Sequence, residues 1–167
     1  MMMLMSGLET DIEALDAALQ SFFRTMKRPQ RWADITSHAG IAVDRPAAAI
    51  LHTLILAEPK RLRVQDLADL LDIEAPSVTR KTQELEQDGY LWRLPDPADR
   101  RAISLHVTTR GRSVSKRLWK AQRDMMTQSL ADWSAKDRRQ FITLFERFSS
   151  ELRVNHESRT THKQGTK

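Results

Sequence analysis

The stretch that decides the fold runs from Val64 to Val107 and reads VQDLADLLDIEAPSVTRKTQELEQDGYLWRLPDPADRRAISLHV. Residues 64–71 have the apolar spacing of a short helix. The apolar side of this helix is predicted to hold Leu67, Ala68, Leu70 and Leu71. A three-residue polar turn follows, in which Ile73 is expected to be the one buried anchor.

A second helix is predicted to begin at Ala75, because Pro76 is tolerated in a first turn that needs no N–H donor. It should end at Gly89, since glycine readily adopts the left-handed conformation just past a helix. Its inward face is expected to be formed by Val78, Thr82 and Leu85. Two helices joined by a three- to four-residue turn are typical of a helix-turn-helix.

The outward face of the second helix is rich in side chains that donate to phosphates or read base edges. The candidate DNA-binding residues are Pro76, Ser77, Thr79, Arg80, Lys81 and Gln83. They lie near the N-terminus of the helix, where a recognition helix contacts bases. An ordinary solvated helix face is the alternative that this pattern leaves open.

A β-hairpin is predicted directly after Gly89. Residues 90–94 are apolar enough for a strand, and residues 103–107 alternate as in a half-buried strand. Arg100 and Arg101 end the turn between them, where a guanidinium can enter a minor groove. Two neighbouring carboxylates, Asp96 and Asp99, are expected to hold one of these arginines in place. The whole pattern predicts a winged helix.

The string DLADLLDIEAPSVTRKTQELEQDGYLWRLPDPADRRAISLHVTTRGR resembles the MarR (multiple antibiotic resistance regulator) family of bacterial transcription factors. The strongest similarity is in DPADRRAISLHVTTRG, and Ser77-Val78-Thr79-Arg80 also fits. The resemblance implies a homodimer whose two winged helices bind a pseudo-palindromic operator in double-stranded DNA. It carries the family's wing arginine over to Arg101, and its acidic partner to Asp99 or Asp96.

Composition limits the other classes of function. The 167-residue chain has a net charge of +5 and a pI near 9.9, which suits a polyanionic partner. It has no cysteine, which excludes disulfides and thiolate metal sites. No apolar run is long enough to span a membrane, and the MMMLMSG start lacks the basic residues of a signal peptide. We therefore expect a cytoplasmic protein.

No pattern of catalytic residues, phosphate-binding glycines or paired metal ligands stands out. The prediction is thus a protein that is not an enzyme and has no cofactor and no metal. One alternative stays open, a histidine-carboxylate metal site at which His38 and His52 converge.

The two ends of the chain carry strongly apolar helical stripes. The first stripe consists of Leu8, Ile12, Leu15, Leu19, Phe22, Phe23 and Met26. The last consists of Phe141, Leu144, Phe145, Phe148 and Leu152. A core-packing helix would explain the first stripe, but half of a dimer interface is preferred.

The fold class predicted is therefore mainly α with a small β-hairpin wing, a single domain with two lobes. Residues 1–45 and 110–155 form the N- and C-terminal dimerisation helices, residues 46–109 the winged helix-turn-helix, and residues 156–167 a disordered tail. Asp44 and Thr108 are predicted to cap the helices that follow them.

A ligand pocket is expected where the dimer helices meet the winged helix, as the family resemblance implies. The candidate ligand-binding residues are Trp32, His38, His52 and Arg112. An aromatic or phenolic ligand could stack on Trp32 and meet a histidine or arginine. The alternative is that Trp32 and His52 are ordinary core side chains.

The function predicted is a sequence-specific transcriptional regulator, a homodimeric repressor that a small molecule releases from DNA. Two other interpretations remain, a winged-helix protein-interaction module and a non-specific architectural DNA-binding protein.

Overall fold

The computed structural model describes residues 2–96 and 102–164, among which there are seven helices and three strands. The helices are α1 (Met2–Lys27), α2 (Pro29–Ala39), α3 (Arg45–Ala57), α4 (Val64–Leu71), α5 (Ala75–Gln87), α6 (Thr109–Ser129) and α7 (Ala135–Gln164). The strands are β1 (Leu62–Arg63), β2 (Leu91–Pro95) and β3 (Ile103–Val107). This mainly α fold with a small sheet confirms the predicted fold class. The chain divides into two compact units, one up to Arg123 and one from Asp124 onward.

The predicted helix-turn-helix is confirmed in α4 and α5. Pro76 lies in the first turn of α5, and Gly89, just beyond its end, has a φ of +73°. The inward face of α5 is fully packed, because Val78 and Thr82 are 0% exposed. Two details were predicted wrongly: Ile73 is 40% exposed, and Leu70 is 62% exposed. The turn is instead closed by the left-handed backbone of Asp72, which lets the amide of Ile73 donate to the carbonyl of Ala68.

The wing strands form a three-stranded antiparallel sheet in the order β1-β3-β2. Strand β1 was not predicted, because two residues cannot show a period. Its pairing with β3, Leu62 opposite Leu105, makes β3 the central strand. Ser104 is therefore 0% exposed, and the predicted alternation of buried and exposed residues along β3 is wrong at this position.

Helix α3 supports α5 from behind. The carboxylate of Asp44 accepts a hydrogen bond from the amide of Ala47 at 2.8 Å, so the predicted N-cap is confirmed. Ile50 and Leu51 of α3 are fully buried, at the centre of the core.

Helix α6 begins where the sheet ends, and Gly111 fixes how closely the two pack. Thr108 caps α6 as predicted, since its hydroxyl accepts from the amide of Gly111 at 3.0 Å. The same hydroxyl donates to the carbonyl of Gly89 at 2.8 Å, and the amide of Thr108 donates to the carbonyl of Tyr90 at 3.0 Å. A Cβ on Gly111 would lie 2.1 Å from the Tyr90 carbonyl oxygen. Only glycine lets α6 start this close to β2.

Helices α1 and α7 each have exposed apolar side chains. On α1 these exposed residues are Leu8, Ile12, Leu15, Phe22 and Phe23. On α7 they are Phe141, Ile142, Leu144, Phe145, Leu152 and Val154. Helix α7 runs to Gln164, so the stretch 156–164 that was predicted to be disordered is helical. Within the described ranges, no helix is long and apolar enough to cross a membrane.

Candidate nucleic-acid interface

The outward stripe of α5 follows from helical geometry. At 100° per residue, positions 76, 80, 83 and 87 lie opposite the buried Val78, Thr82 and Leu85. The side chain of Arg80 is 78% exposed, and its Nε lies 4.0 Å from the carboxylate of Glu84. Pro76, Ser77 and Gln83 are also exposed. This stripe presents the guanidinium of Arg80 and the amide of Gln83 to one side of the helix, and the hydroxyl of Ser77 lies beside it, about 60° from Arg80 around the helix.

Two other candidate residues of α5 are turned toward the protein. Thr79 is half-buried, and its hydroxyl donates to the carbonyl of Ala75 at 2.9 Å. The side chain of Lys81 is only 19% exposed, because its ammonium donates to Asp44 at 2.7 Å and also to Glu84. Lys81 thus ties α5 to the capped start of α3, whereas the sequence suggested that it lies on the open face.

The ion pair between Lys81 and Asp44 shifts both groups. Burial raises the pKa of Asp44, but hydrogen bonds from Lys81 and from the Ala47 amide outweigh this, and the pKa is lowered overall. The hydrogen bond to Asp44, followed by that to Glu84, raises the pKa of Lys81. Both groups are therefore held in their charged forms.

Arg93, on β2, is a residue that sequence reasoning missed. Its side chain is only 16% exposed, and its Nη1 donates to the Thr79 carbonyl at 3.2 Å and to the Thr82 hydroxyl at 3.0 Å. The Arg93 amide donates to the carboxylate of Glu86 at 3.1 Å. The available signal was an arginine among the apolar residues of a predicted strand. The sequence could not show that the side chain of this arginine points toward α5.

The base of the wing is held by Asp96, which is 8% exposed. Its carboxylate accepts from Nε of Arg63, on β1, at 3.2 Å. The other wing residues singled out from sequence, Asp99, Arg100 and Arg101, lie outside the described residues.

A cavity of about 310 Å³ lies between α2, α3 and α6 and contains two of the four candidate ligand-binding residues. Trp32 and His52 both line it, together with Trp119, whose ring centroid is 4.1 Å from that of His52. The Trp32 indole N–H donates to the Val43 carbonyl at 2.9 Å, as expected for a satisfied core side chain. Burial lowers the pKa of His52, which favours the neutral imidazole.

The remaining two candidates do not line this cavity. His38 is exposed on α2 and is not among the residues that line the cavity with His52. Arg112 forms a bidentate ion pair with Glu58, in which Nη1 lies 2.7 Å from Oε2. The hydrogen bond from Arg112 lowers the pKa of Glu58. Among the described residues, no cluster of three or more histidine or carboxylate side chains could hold a metal ion.

The fold and the site together define a class. A helix-turn-helix whose second helix is followed by an antiparallel hairpin, with a short third strand at its edge, is a winged helix. The family model described as the MarR family matches residues 45–103, which span α3 to the start of β3. Over this region the chain is similar to the MarR family, and the curated relatives that it matches are described as HTH-type transcriptional regulators.

Individual relatives agree with this assignment. The chain is 25% identical over 87 residues to the HTH-type transcriptional regulator YxaD of Bacillus subtilis (strain 168), covering 52% of this chain and 61% of that one. It is 28% identical over 98 residues to the HTH-type transcriptional regulator YdgJ of the same strain, covering 59% and 60%. The match thus spans about three fifths of these curated relatives.

The fold is shared with solved structures beyond that region. A MarR family protein from Bacillus stearothermophilus superposes with a TM-score of 0.73 at 19% identity, over 86% of this chain and 96% of that one. At this identity the similarity shows the fold alone.

Proposed function

We propose that this chain is a sequence-specific, DNA-binding transcriptional regulator that acts as a homodimer. The observation that carries the proposal is the outward stripe of α5. The side chain of Arg80 extends into solvent, whereas Lys81 and Arg93 are turned inward. Helix α5 can therefore present one extended guanidinium to the major groove of DNA, with Ser77 and Gln83 beside it.

Each of these outward groups suits a base edge in the major groove. An arginine donates two hydrogen bonds to guanine O6 and N7, and a glutamine pairs in the same way with adenine. Arg80 and Gln83 are separated by three residues, or roughly 4.5 Å along the helix axis. They can therefore reach neighbouring base pairs, which suggests a half-site with a guanine and an adenine close together.

The wing adds the second contact in this proposal. Arg101 enters the minor groove next to the half-site, and Arg100 assists it, as the family resemblance implies. Contacts from two subunits neutralise several phosphates, so affinity should fall steeply as salt rises.

The homodimer is supported by the exposed apolar side chains of α1 and α7. Phe22, Phe23, Phe141 and Phe145 are each about half exposed. Apolar faces of this kind are usually covered by a partner, and a second copy of the chain supplies identical faces. Two winged helices related by a two-fold axis then fit a pseudo-palindromic operator, with half-sites one helical turn apart.

Release by a small molecule is the regulatory part of the proposal. The cavity at Trp32 and His52 is mostly apolar, and the guanidinium of Arg45 lies 5.8 Å above the Trp32 ring. An aromatic or phenolic ligand could stack there and place an anionic oxygen near the arginine. A ligand that prefers the DNA-free arrangement would lift a repressor from its operator. A regulator of this kind works beside the chromosome, in the cytoplasm.

The test is selection of bound duplexes from a random pool, run in parallel for the wild type, Arg80→Ala and Arg123→Ala. Arg123 is an exposed residue of α6 and serves as a charge-matched control. We expect the wild type and the control to enrich one inverted repeat, with half-sites about ten base pairs apart. Arg80→Ala should lose the preference at one position in each half-site.

Two results would count against the proposal. If the wild type binds without sequence preference, the non-specific architectural interpretation takes its place, and if it does not bind, the protein-interaction interpretation does. If Arg80→Ala enriches the same repeat with the same preferences, Arg80 does not read bases.

A further inference from the structure

We infer that Arg93 is a positioning residue that locks the wing to the recognition helix α5, so that both elements meet DNA in one fixed arrangement. This inference rests on the proposed DNA-binding function and adds a role for a residue that touches no base.

The lock consists of contacts from one strand residue to one edge of α5. The Arg93 guanidinium donates through Nη1 to the Thr79 carbonyl at 3.2 Å and to the Thr82 hydroxyl at 3.0 Å. Its Nε lies 3.9 Å from the carboxylate of Glu86, which also accepts from the Arg93 amide at 3.1 Å. Positions 79, 82 and 86 lie within 60° of one another around the helix, so a single side chain spans two turns.

Burial makes these contacts strong. Thr82 is 0% exposed, and its hydroxyl donates to the Thr79 carbonyl at 3.0 Å while it accepts from Arg93. Without the guanidinium, water has little access to replace that donor. Hydrogen bonds to a charged group are also stronger than neutral ones.

The direction of Arg93 is set by the strand. Trp92 and Leu94, its neighbours on β2, are 58% and 45% exposed on the opposite face of the sheet. Arg93 faces inward with Leu105, its partner on β3. The lock therefore lies between the strand that leads into the wing and the helix that carries Arg80.

A small rotation of β2 relative to α5 at Arg93 would displace the wing. Asp96 is three residues, or roughly 10 Å, beyond Arg93 at about 3.3 Å per residue, so a tilt of about 10° moves it by nearly 2 Å. A displacement of that size breaks hydrogen bonds, which hold only over a narrow range of distances. Loss of the lock should therefore uncouple the wing from the recognition helix even when both remain folded.

The experiment is a double-mutant cycle between Arg93→Met and Arg101→Ala, measured by fluorescence anisotropy on the duplex that the wild type selects. Arg101→Ala alone should weaken binding about tenfold, the size of one good groove contact. In the Arg93→Met background the same change should cost less than about twofold, because contacts that depend on one another are not additive. Arg93→Lys, which keeps the charge but not the fork, should give an intermediate coupling.

Controls separate positioning from stability. Circular dichroism and thermal unfolding establish that each variant is folded at the assay temperature. Thr82→Val removes one acceptor of Arg93 at nearly constant volume, so it should also reduce the coupling between Arg93 and Arg101. If Arg93→Met does not fold, Thr82→Val takes its place in the cycle. Arg123→Met should leave the Arg101→Ala effect unchanged.

The two possible failures are distinguishable. If the wild type binds its duplex and the effects of Arg93→Met and Arg101→Ala simply multiply, the lock is overturned while the proposed function stands. A wild type without sequence preference overturns the proposed function, and the inference with it.

Discussion

Gly111→Ala is expected to destabilise the protein, against the usual trend for glycines inside helices. In an open helical position, alanine is favoured over glycine by about 1 kcal/mol. At Gly111 the new Cβ would lie 2.1 Å from the Tyr90 carbonyl oxygen and 2.8 Å from Cγ1 of Val107. A carbon and a carbonyl oxygen need roughly 3.3 Å, so α6 and β2 must separate by more than 1 Å.

That separation acts on a network of hydrogen bonds. The Tyr90 carbonyl accepts from the Thr108 amide, and the Thr108 hydroxyl bridges Gly89 and Gly111. Overpacking costs about 1–3 kcal/mol, and the strained cap adds to it, so we expect a net loss of about 2–3 kcal/mol in the free energy of unfolding. For a chain of this size, that loss corresponds to a fall in Tm of roughly 5–10 °C.

The assay is thermal unfolding by circular dichroism at one fixed protein concentration, since the Tm of the proposed homodimer would depend on concentration. The matched control is Gly7→Ala in α1, where a Cβ meets nothing within 4 Å. The control should keep or slightly raise the Tm. If Gly111→Ala has the Tm of the wild type or a higher one, the close approach of α6 to β2 is not as described.

Three further outcomes follow from the charged and titratable groups. Asp44→Ala removes the cap of α3 and the partner of Lys81. It should lower the free energy of unfolding, measured by urea titration, by about 1–2 kcal/mol. An unchanged urea midpoint would contradict the role of Asp44 as a cap. Because the folded-state pKa values of Asp44 and Glu58 are lowered, their stabilisation is complete above the ordinary carboxyl pKa and is lost as the pH falls through the lowered values. Tm measured from neutral to acidic pH should therefore fall less steeply in Asp44→Asn, and an identical slope would refute this. NMR titration should give His52 a pKa below the ordinary histidine value, because burial disfavours its charged form, and a raised value would show that the ring is charged in the cavity.

Local sequence signals predicted the winged helix well because each of them has a local physical cause. Pro76 and Gly89 mark the ends of the recognition helix through backbone geometry, and Asp44 and Thr108 cap helices through hydrogen bonds to amides nearby in sequence. Such contacts depend on a few neighbouring residues. They can therefore be read from the chain itself.

Long-range packing produced the differences. Strand β1 exists because Leu62 pairs with Leu105, and this pairing buries Ser104, whose polarity suggested an exposed position. Lys81 and Arg93 carry charges that fit a DNA-binding face. In the structure, however, they face inward, where Lys81 pairs with Asp44 and Arg93 pairs with Glu86. Asp44 and Lys81 lie far apart in sequence, so their spacing does not identify them as partners. Sequence therefore cannot distinguish basic side chains that face DNA from basic side chains that stabilise the fold.

The central claim is that α5 enters the major groove and that Arg80 reads a guanine there. The most direct measurement is methylation interference on the selected duplex, because methylation of guanine N7 blocks the acceptor that Arg80 would use. We predict strong interference at one guanine in each half-site for the wild type and none at these guanines for Arg80→Ala. Binding by the wild type that is indifferent to N7 methylation would contradict the claim.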